Sequence, residues 1–346
     1  MKTDLRDLTI EEIKALCTAL SLPSYRAGQI FSAIYKTDNI DAITTLSKDL
    51  RQTLSKDYYI GNLECAQKQI SKKDGTVKFL FKLHDGNFIE TVFMRYRHGN
   101  TLCVSSQVGC AMGCTFCAST IGGKVRNLSA AEIIEQILAA ERETGEKISN
   151  IVMMGIGEPL DNFENVVKFL KIVNHKDGLN IGYRHISLST CGVVPKIYDL
   201  AKLNLPITLS VSLHAPFDDL RSEMMPINKK YPLKELTTAM ADYLSATGRR
   251  ISIEYALIRG KNDSTACADA LCKLFRGGLY HINLIPVNNV RERDYQKTEK
   301  QHVLAFQNRL NARGLNATIR RELGSDIDAA CGQLRKKMQT QSDTLK

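Results

Sequence analysis

Several features are absent from this 346-residue chain, and each absence narrows its class. No stretch approaches the ~18 consecutive apolar residues of a membrane-spanning helix, so we expect no membrane partner. Residues 1–6 contain no apolar run, which argues against a secretory signal. Most of the 10 cysteines are scattered, as is typical of a reducing compartment rather than a disulfide framework. We therefore expect a cytoplasmic protein.

The chain also lacks tryptophan and an excess of acidic residues, and its formal net charge is +10. The last 56 residues carry 12 basic and 7 acidic side chains. This balance fits a polyanionic partner, because phosphate neutralisation drives nucleic-acid affinity, although a solvated basic surface explains it equally well. Without tryptophan, the 12 tyrosines and 11 phenylalanines offer no single candidate for base stacking.

The most informative residues are three cysteines, Cys110, Cys114 and Cys117, spaced as Cys-x3-Cys-x2-Cys. Three thiolates can hold three irons of a [4Fe–4S] cluster. A structural zinc site usually takes four protein ligands, commonly with a second Cys/His pair downstream, and no such pair follows. The fourth iron would stay open to substrate atoms, which favours chemistry over electron storage. A zinc knot and three unrelated buried thiols are the alternatives.

This spacing resembles the signature of radical S-adenosylmethionine (SAM) enzymes. The resemblance implies that the open iron chelates the amino and carboxylate groups of SAM. It also implies that an electron from the cluster then splits the sulfonium and releases a 5′-deoxyadenosyl radical.

From residue 101 the sequence alternates strand and helix patterns. Ser129 and Glu132 form a capping box that predicts a helix start. Six strand–helix units predict an α/β fold, a partial (β/α)6 barrel of the radical SAM type, with its site at the carboxyl ends of the strands. The predicted strands cover residues 102–108, 151–155, 185–189, 207–213, 250–258 and 282–286.

Three segments are expected along the chain. Residues 1–98 are predicted to form a small α+β accessory region that binds RNA. Its helices come first, and a hairpin turning at Asp85-Gly86 follows. Residues 99–334 are predicted to form the barrel with a C-terminal catalytic-cysteine loop, and residues 335–346 a basic tail.

Small and polar residues stand at the predicted strand ends, where hydroxyl, amide and carboxylate groups can hold a cofactor. Gly157-Glu158 is similar to the glycine-rich SAM-contacting motif, although an ordinary strand-to-helix turn has the same composition. For His214, a satisfied core histidine is the alternative. The expected SAM-binding residues are Gly157, Glu158, Ser189, Ser212, Leu213, His214 and Asn288.

Together these residues resemble the RlmN family of radical SAM RNA adenine methyltransferases, with the Cfr-type resistance enzymes as close relatives. The resemblance covers nearly the whole chain. It is carried by residues 102–110, 157–160, 212–215, 225–228, 283–286 and 326–334. It implies methylation of adenine carbon 2 in 23S rRNA, at the peptidyl-transferase centre, and in tRNA, beside the anticodon. It also implies a [4Fe–4S] cluster, two SAM per turnover, a reductant such as flavodoxin or ferredoxin, and a monomer.

The resemblance also implies residue roles. One SAM methylates Cys331, and the radical made from the second SAM removes hydrogen from that methyl group. The resulting carbon radical adds to adenine carbon 2, and Glu90 acts as the base that removes the ring proton. Cys103 then forms a transient disulfide with Cys331 and releases the RNA. From its sequence position alone, Glu90 reads only as an outward-facing strand carboxylate.

The sequence alone leaves three rival functions open. Cfr-type chemistry at adenine carbon 8 would use the same machinery. A radical SAM activase would not need Cys331. A zinc-dependent RNA-binding protein would need neither SAM nor iron.

The first prediction concerns Cys331→Ala. Removing the methyl carrier should abolish RNA methylation while SAM cleavage survives, because the cluster cysteines are untouched. Methylated nucleoside and 5′-deoxyadenosine, both quantified by mass spectrometry, separate the two steps. Full methylation by this variant would contradict the role assigned to Cys331.

Overall fold

The computed structural model describes residues 2–286, 295–324 and 326–327. Its N-terminal part is helical. Thr9 caps the first helix, and Glu12 completes a capping box, so the helix begins where local hydrogen bonding satisfies its free N–H groups. The elements are β1 (Thr3–Asp4), α1 (Ile10–Ala19), α2 (Tyr25–Ala33), α3 (Lys48–Asp57) and β2 (Tyr58–Tyr59).

An antiparallel meander follows. It consists of β3 (Glu64–Ile70), β4 (Val77–Lys82) and β5 (Phe88–Tyr96), and the hairpin expected at Asp85-Gly86 joins β4 to β5. Strand β5 pairs with β6 (Gly99–Cys103), the first strand of the barrel. The expected boundary at residue 98 therefore lies in a turn within one continuous sheet, and the division into two domains stays a proposal.

The single first strand expected at residues 102–108 is wrong. The chain leaves the main sheet after Cys103, and β7 (Gln107–Gly109) forms a separate hairpin with β8 (Lys124–Asn127). The N–H of Ser105 donates to Oε1 of Gln136 at 2.8 Å, and its hydroxyl donates to the carbonyl of Glu90 at 2.6 Å. These bonds satisfy the polar groups of Ser105 in place of a neighbouring strand. The cysteine loop lies in the connection between β7 and β8.

The remaining strands alternate with helices as expected. The strands are β9 (Asn150–Met153), β10 (Ile186–Thr190), β11 (Thr208–Ser212), β12 (Ile251–Leu257), β13 (Tyr280–Pro286) and β14 (Asn316–Ile319). The helices are α4 (Ala130–Thr144), α5 (Phe163–Asn174), α6 (Val194–Leu203), α7 (Asp218–Met224), α8 (Leu233–Thr247), α9 (Thr265–Phe275) and α10 (Lys300–Ala312).

The main sheet has ten strands in the order β14-β13-β12-β11-β10-β9-β6-β5-β4-β3. The seven strands from β14 to β6 are parallel, which confirms the α/β partial barrel. Strand β14 was not expected. Within the described residues, no helix is long and apolar enough to span a membrane.

The pleat of the central strands separates the core from the site. Leu188 and Leu209 point outward into the apolar core under the helices. Ser189 and Ser212 point the other way, and their hydroxyl oxygens lie 3.4 Å apart. Because side chains alternate along a strand, the sequence pattern itself builds a polar inner face.

Candidate active site

A cavity of about 420 Å³ lies at the carboxyl ends of the parallel strands. This volume is within the range of roughly 300–1,000 Å³ that is typical of small-molecule sites. Its wall brings together most of the residues expected from the sequence, namely Cys103, Cys110, Cys114, Cys117, Gly157, Glu158, Ser189, Ser212 and His214.

The cysteine loop is fixed by its own backbone and by α7. Gly109 and Gly113 have φ of +73° and +70°, the left-handed conformation that glycine adopts without steric cost. The N–H of Thr115 donates to the carbonyl of Met224 at 2.9 Å, and the hydroxyl of Thr120 donates to the carbonyl of Cys117 at the same distance. The loop therefore presents its thiols from a constrained backbone.

The surroundings of Cys110 and Cys114 disfavour the negative charge of a thiolate. Cys110 and Cys114 are both buried, and burial raises the pKa of Cys110 to about 12, helped by the neighbouring Cys117 and Glu158. Burial likewise raises the pKa of Cys114. A bound cation reverses this preference, because metal coordination deprotonates a thiol outright.

The donor set fits a cluster better than one ion. Among the described residues, no group of three or more His, Cys, Asp or Glu side chains converges on a single metal position. Three thiols that bind three separate irons of a cuboidal cluster have no common centre of that kind. Cys110, Cys114 and Cys117 all line one cavity, as three ligands of a single cluster would have to.

The turn after β9 is packed directly against the base of the cysteine hairpin. Gly157 has φ of +108°, and a Cβ there would lie 2.6 Å from the Cβ of Gln107. The N–H groups of Ser106 and Gln107 both donate to the carbonyl of Ile156, and the N–H of Glu158 donates to Oε1 of Gln107 at 2.9 Å. We call these contacts the Gln107 junction.

The carboxylate of Glu158 is held by backbone donors. One oxygen accepts from the N–H of Cys191 at 2.7 Å, and the other accepts from the N–H of Leu160 at 2.9 Å. Burial raises the pKa of Glu158, and these N–H groups oppose the shift. The carboxylate lines the cavity and can accept from an ammonium group there.

His214 has a defined protonation state. Its Nδ1 accepts from the N–H of Ala256 at 2.9 Å, so the ring is neutral and carries its proton on Nε2. Burial, with a contribution from Arg221, lowers the pKa of His214 to about 3. The ring meets Phe116 edge to face at 4.9 Å. Leu213 differs from its neighbours, because its side chain packs in the apolar core.

Glu90 is not an outward-facing surface carboxylate. It is 3% exposed, and its Oε2 lies 3.3 Å from Nζ of the fully buried Lys78. Lys78, Val92 and Cys103 form one row across β4, β5 and β6. Glu90 stands two residues from Val92 and therefore on the same face, which lines the cavity.

Cys103 is buried on that face. Burial raises the pKa of its thiol, and the nearby Arg320 and Lys78 oppose the shift. Two further predicted residues, the methyl carrier Cys331 and the SAM-binding Asn288, lie outside the described residues. All nine described cysteines are free, so the expectation of a disulfide bond has no support from them.

Two buried charged residues were not expected from the sequence: Glu254, which lines the cavity, and Arg221, which contacts the cavity residue Cys191. Arg221 of α7 is fully buried and donates to the carbonyl of Cys191 at 2.7 Å and to Oδ1 of Asn228 at 2.9 Å. Glu254 of β12 is buried and accepts from Nδ2 of Asn283 at 2.7 Å. The carboxylate of Glu254 inside the apolar run of β12 could have marked it as a site residue. No sequence pattern marks Arg221 in this way.

Comparison with known proteins agrees with this geometry. Residues 104–270 match the family model for the radical SAM superfamily, and residues 3–60 match that for the ribosomal RNA large subunit methyltransferase N-terminal domain. Fold and site therefore define a radical SAM enzyme, a class that uses a [4Fe–4S] cluster and SAM.

Relatives of nearly equal length narrow the class. A probable dual-specificity RNA methyltransferase RlmN of Lachnospira eligens is 50% identical over 97% of this chain and 96% of its own. One of Alkaliphilus oremlandii is 53% identical over 97% and 98%. The crystal structure of a radical SAM methyltransferase from Sphaerobacter thermophilus is 44% identical over 96% and 98%, with a TM-score of 0.90. The chain belongs to the RlmN family.

The second prediction concerns Gly157→Ala. The added Cβ would meet the side chain and backbone N of Gln107 at 2.6–2.8 Å, in a backbone conformation that alanine adopts only with strain. The Gln107 junction should open, and SAM affinity of the reconstituted enzyme should fall at least roughly tenfold, about 1.4 kcal/mol. Equilibrium dialysis with labelled SAM measures it.

Gly28→Ala is the matched control, since nothing lies within 4 Å of a Cβ at this position in α2. It should leave SAM affinity unchanged and raise stability by up to about 1 kcal/mol. Equal SAM affinity in both variants would show that the junction does not set the SAM site.

Proposed function

We propose that this protein methylates carbon 2 of adenosine in 23S rRNA and in tRNA, with a [4Fe–4S] cluster and two SAM per turnover. Membership of the RlmN family over nearly the whole chain supports the reaction class. The observation that carries the proposal is that Cys103 lines the same cavity as the three motif cysteines. Cys191 also lines that wall, whereas Cys103 stands on the sheet face that carries Lys78 and Glu90, an arrangement that a SAM-cleaving enzyme making only a radical does not need.

The residues present suit both cofactors. Cys110, Cys114 and Cys117 would hold three irons, and Glu158 would accept the ammonium group of SAM. Gly157, Ser189, Ser212, the backbone of Leu213, His214 and Asn288 would hold the rest of that molecule. When bound, the two cofactors supply a carbon radical strong enough to remove hydrogen from a methyl group.

The electronic character of adenine carbon 2 explains why its methylation needs radical chemistry. This carbon lies between two ring nitrogens, is electron-poor, and does not attack a methyl sulfonium as a nucleophile. A carbon radical adds to it instead. Cys331 would carry the methyl group to this position and become covalently joined to the base.

Release of the RNA then needs a base and a second thiol, and the structure offers both on one face of the sheet. Glu90 would remove the ring proton. The adjacent Lys78 ammonium balances the buried carboxylate, which would otherwise be costly to keep ionised. Cys103 would attack the Cys331 sulfur, forming a transient disulfide as the methylated RNA leaves.

The RNA-binding region and the electron donor are proposed on the same grounds. Residues 1–98 would form an accessory region that binds RNA, and the monomer would take electrons from flavodoxin or ferredoxin. The exposed Arg321 lies at the cavity wall beside Arg320, where it can meet the phosphates of an entering RNA.

Nucleoside analysis tests the function directly. Anaerobically reconstituted enzyme is incubated with SAM, a reductant and protein-free 23S rRNA or tRNA, and the digested RNA is compared with standards by mass spectrometry. We expect 2-methyladenosine from both RNAs. A product that is 8-methyladenosine would assign Cfr-type chemistry, and SAM cleavage without methylation would favour an activase.

The third prediction concerns Glu90→Gln. The amide keeps the shape but cannot take the ring proton, so a single turnover should slow on the order of a hundredfold or more. Rapid quenching with labelled SAM measures the rate of methylated product. Glu146→Gln, which alters an exposed ion pair with Arg95, should keep the wild-type rate. Equal rates for Glu90→Gln and wild type would remove Glu90 from the base role.

The fourth prediction concerns Cys103→Ala. Without the second thiol, the protein–RNA adduct should accumulate, because no other step opens it. Denaturing gel electrophoresis with labelled tRNA should show a slowly migrating band that nuclease digestion removes. Cys272→Ala, at another buried free cysteine, should give no such band. A missing band in Cys103→Ala, with cluster and SAM cleavage intact, would contradict the resolving role.

A further inference from the structure

A further buried cysteine lies against the cysteine loop, in the wall of the same cavity. Cys191 follows strand β10 and is 7% exposed. It lines the cavity together with Cys110, Cys114 and Cys117. Cys191 and Cys114 belong to one small apolar cluster, and Cys117 packs against that cluster. No step of the proposed reaction uses the thiol of Cys191.

The backbone of Cys191 is fixed by buried side chains on both sides. Its N–H donates to Oε2 of Glu158 at 2.7 Å, and its carbonyl accepts from Nη2 of Arg221 at 2.7 Å. The next residue, Gly192, has φ of +105°, and a Cβ there would lie 2.9 Å from Cδ1 of Leu236. Because only glycine fits this conformation without strain, the Cα–Cβ bond of Cys191 has a defined direction before any cofactor binds.

The thiol of Cys191 stands near both the cysteine loop and the carboxylate that is proposed to hold SAM. Burial raises the pKa of Cys191 well above its usual value, and the neighbouring Glu158 and Cys114 add to the shift. Glu158 would accept the ammonium group of SAM, and the same amino group would chelate the open iron. Cys191 therefore lies at the iron-binding end of the SAM site.

A buried cysteine in this place has two explanations. It can be a small apolar residue that only fills space. It can also be a ligand, because thiolates are the ligands that iron–sulfur clusters prefer. The guanidinium of Arg221 lies close enough to influence Cys191 and Cys114 electrostatically, and its positive charge favours thiolates there. The motif itself supplies three cysteines for four irons, so a fourth thiol in the same wall favours the second explanation.

We propose that Cys191 is a displaceable fourth ligand of the cluster, bound to the open iron until SAM arrives. The inference rests on the proposed function, since it requires a cluster on the three motif cysteines. As its sulfur bonds to the iron, the thiol loses its proton to solvent. When SAM chelates the iron, the bond to Cys191 breaks, and the thiolate takes the proton that the SAM ammonium group loses. Neither iron nor sulfur changes oxidation state.

Mössbauer spectroscopy of the wild-type protein tests the ligand directly. Full-length protein is reconstituted anaerobically with ⁵⁷Fe in buffer free of small thiols, and oxidised clusters are measured without and with saturating SAM. An iron that has nitrogen and oxygen ligands in place of one thiolate shows a larger isomer shift. We expect only sulfur-ligated iron without SAM, and one distinct iron in each cluster once SAM is bound. A distinct iron in the SAM-free protein would overturn the proposal.

Two substitutions separate ligation from packing. Cys191→Ala removes the sulfur, whereas Cys191→Ser keeps nearly the same shape but offers a hydroxyl, a harder donor and a far weaker acid. Both variants should show the distinct iron without SAM, and their SAM-bound spectra should match that of wild type. Cys272→Ala, at a buried cysteine that does not line the cavity, should match wild type in both states. Wild-type spectra in the SAM-free Cys191→Ser protein would show that Cys191 only fills space.

SAM affinity provides a second readout. SAM binds only those clusters whose iron is open, so a thiolate on about nine in ten of them weakens the apparent affinity about tenfold. Cys191→Ser should therefore bind SAM roughly tenfold more tightly than wild type in equilibrium dialysis. Unchanged affinity would contradict displacement of the thiolate by SAM.

The outcomes distinguish the fourth ligand from the proposed function. A wild-type enzyme that methylates RNA and shows the distinct iron before SAM is added would overturn the fourth ligand and leave the proposed function intact. A wild-type protein that assembles no [4Fe–4S] cluster would overturn the proposed function, and the fourth ligand with it.

Discussion

The Gln107 junction fixes the distance on which the rest of the site depends. The cysteine loop lies in the connection of a small hairpin outside the main sheet, whereas Glu158 follows a central strand. The contacts of Gln107 and Ser106 with the turn at Ile156–Glu158 join the two at their bases, and an ion pair between Lys124 and Asp161 adds a further link. In the proposed function, the cluster on the loop and the SAM amino group at Glu158 would have to meet with small tolerance, which requires a tight junction. Gly157 is what allows the close approach.

Several charged side chains are buried in and around the cavity, and the chain balances them with fixed hydrogen-bond donors or opposite charges. Glu158 receives two backbone N–H groups, Glu254 receives an amide, and Glu90 faces Lys78. Arg221 places its guanidinium on backbone carbonyls beneath the cysteine loop. Donors and charges that are already oriented need not reorganise when charge moves during a reaction, which is how such sites stabilise transition states.

The parts of the structure that depend on local sequence could be predicted, and those that depend on distant partners could not. The capping boxes at Thr9 and Ser129, the Asp85-Gly86 turn and the alternation of central strands all follow from short-range rules. The prediction of one continuous first strand was wrong because the N–H of Ser105 donates to Gln136, 31 residues away, and not to a neighbouring strand. The burial of Glu90 depends on Lys78 in a neighbouring strand, and no spacing within β5 reveals it. Among site residues, the cysteine motif carried its own signal, whereas Arg221 matters only through the loops that surround it.

The central claim is that three thiols hold a cluster with one iron open to SAM. Iron and sulfide analysis of the reconstituted protein, followed by electron paramagnetic resonance of the reduced cluster with and without SAM, tests this most directly. We expect a [4Fe–4S] cluster in each chain and a spectrum that shifts when SAM binds. Zinc without iron or sulfide, or a reduced cluster whose spectrum is unchanged by saturating SAM, would contradict it.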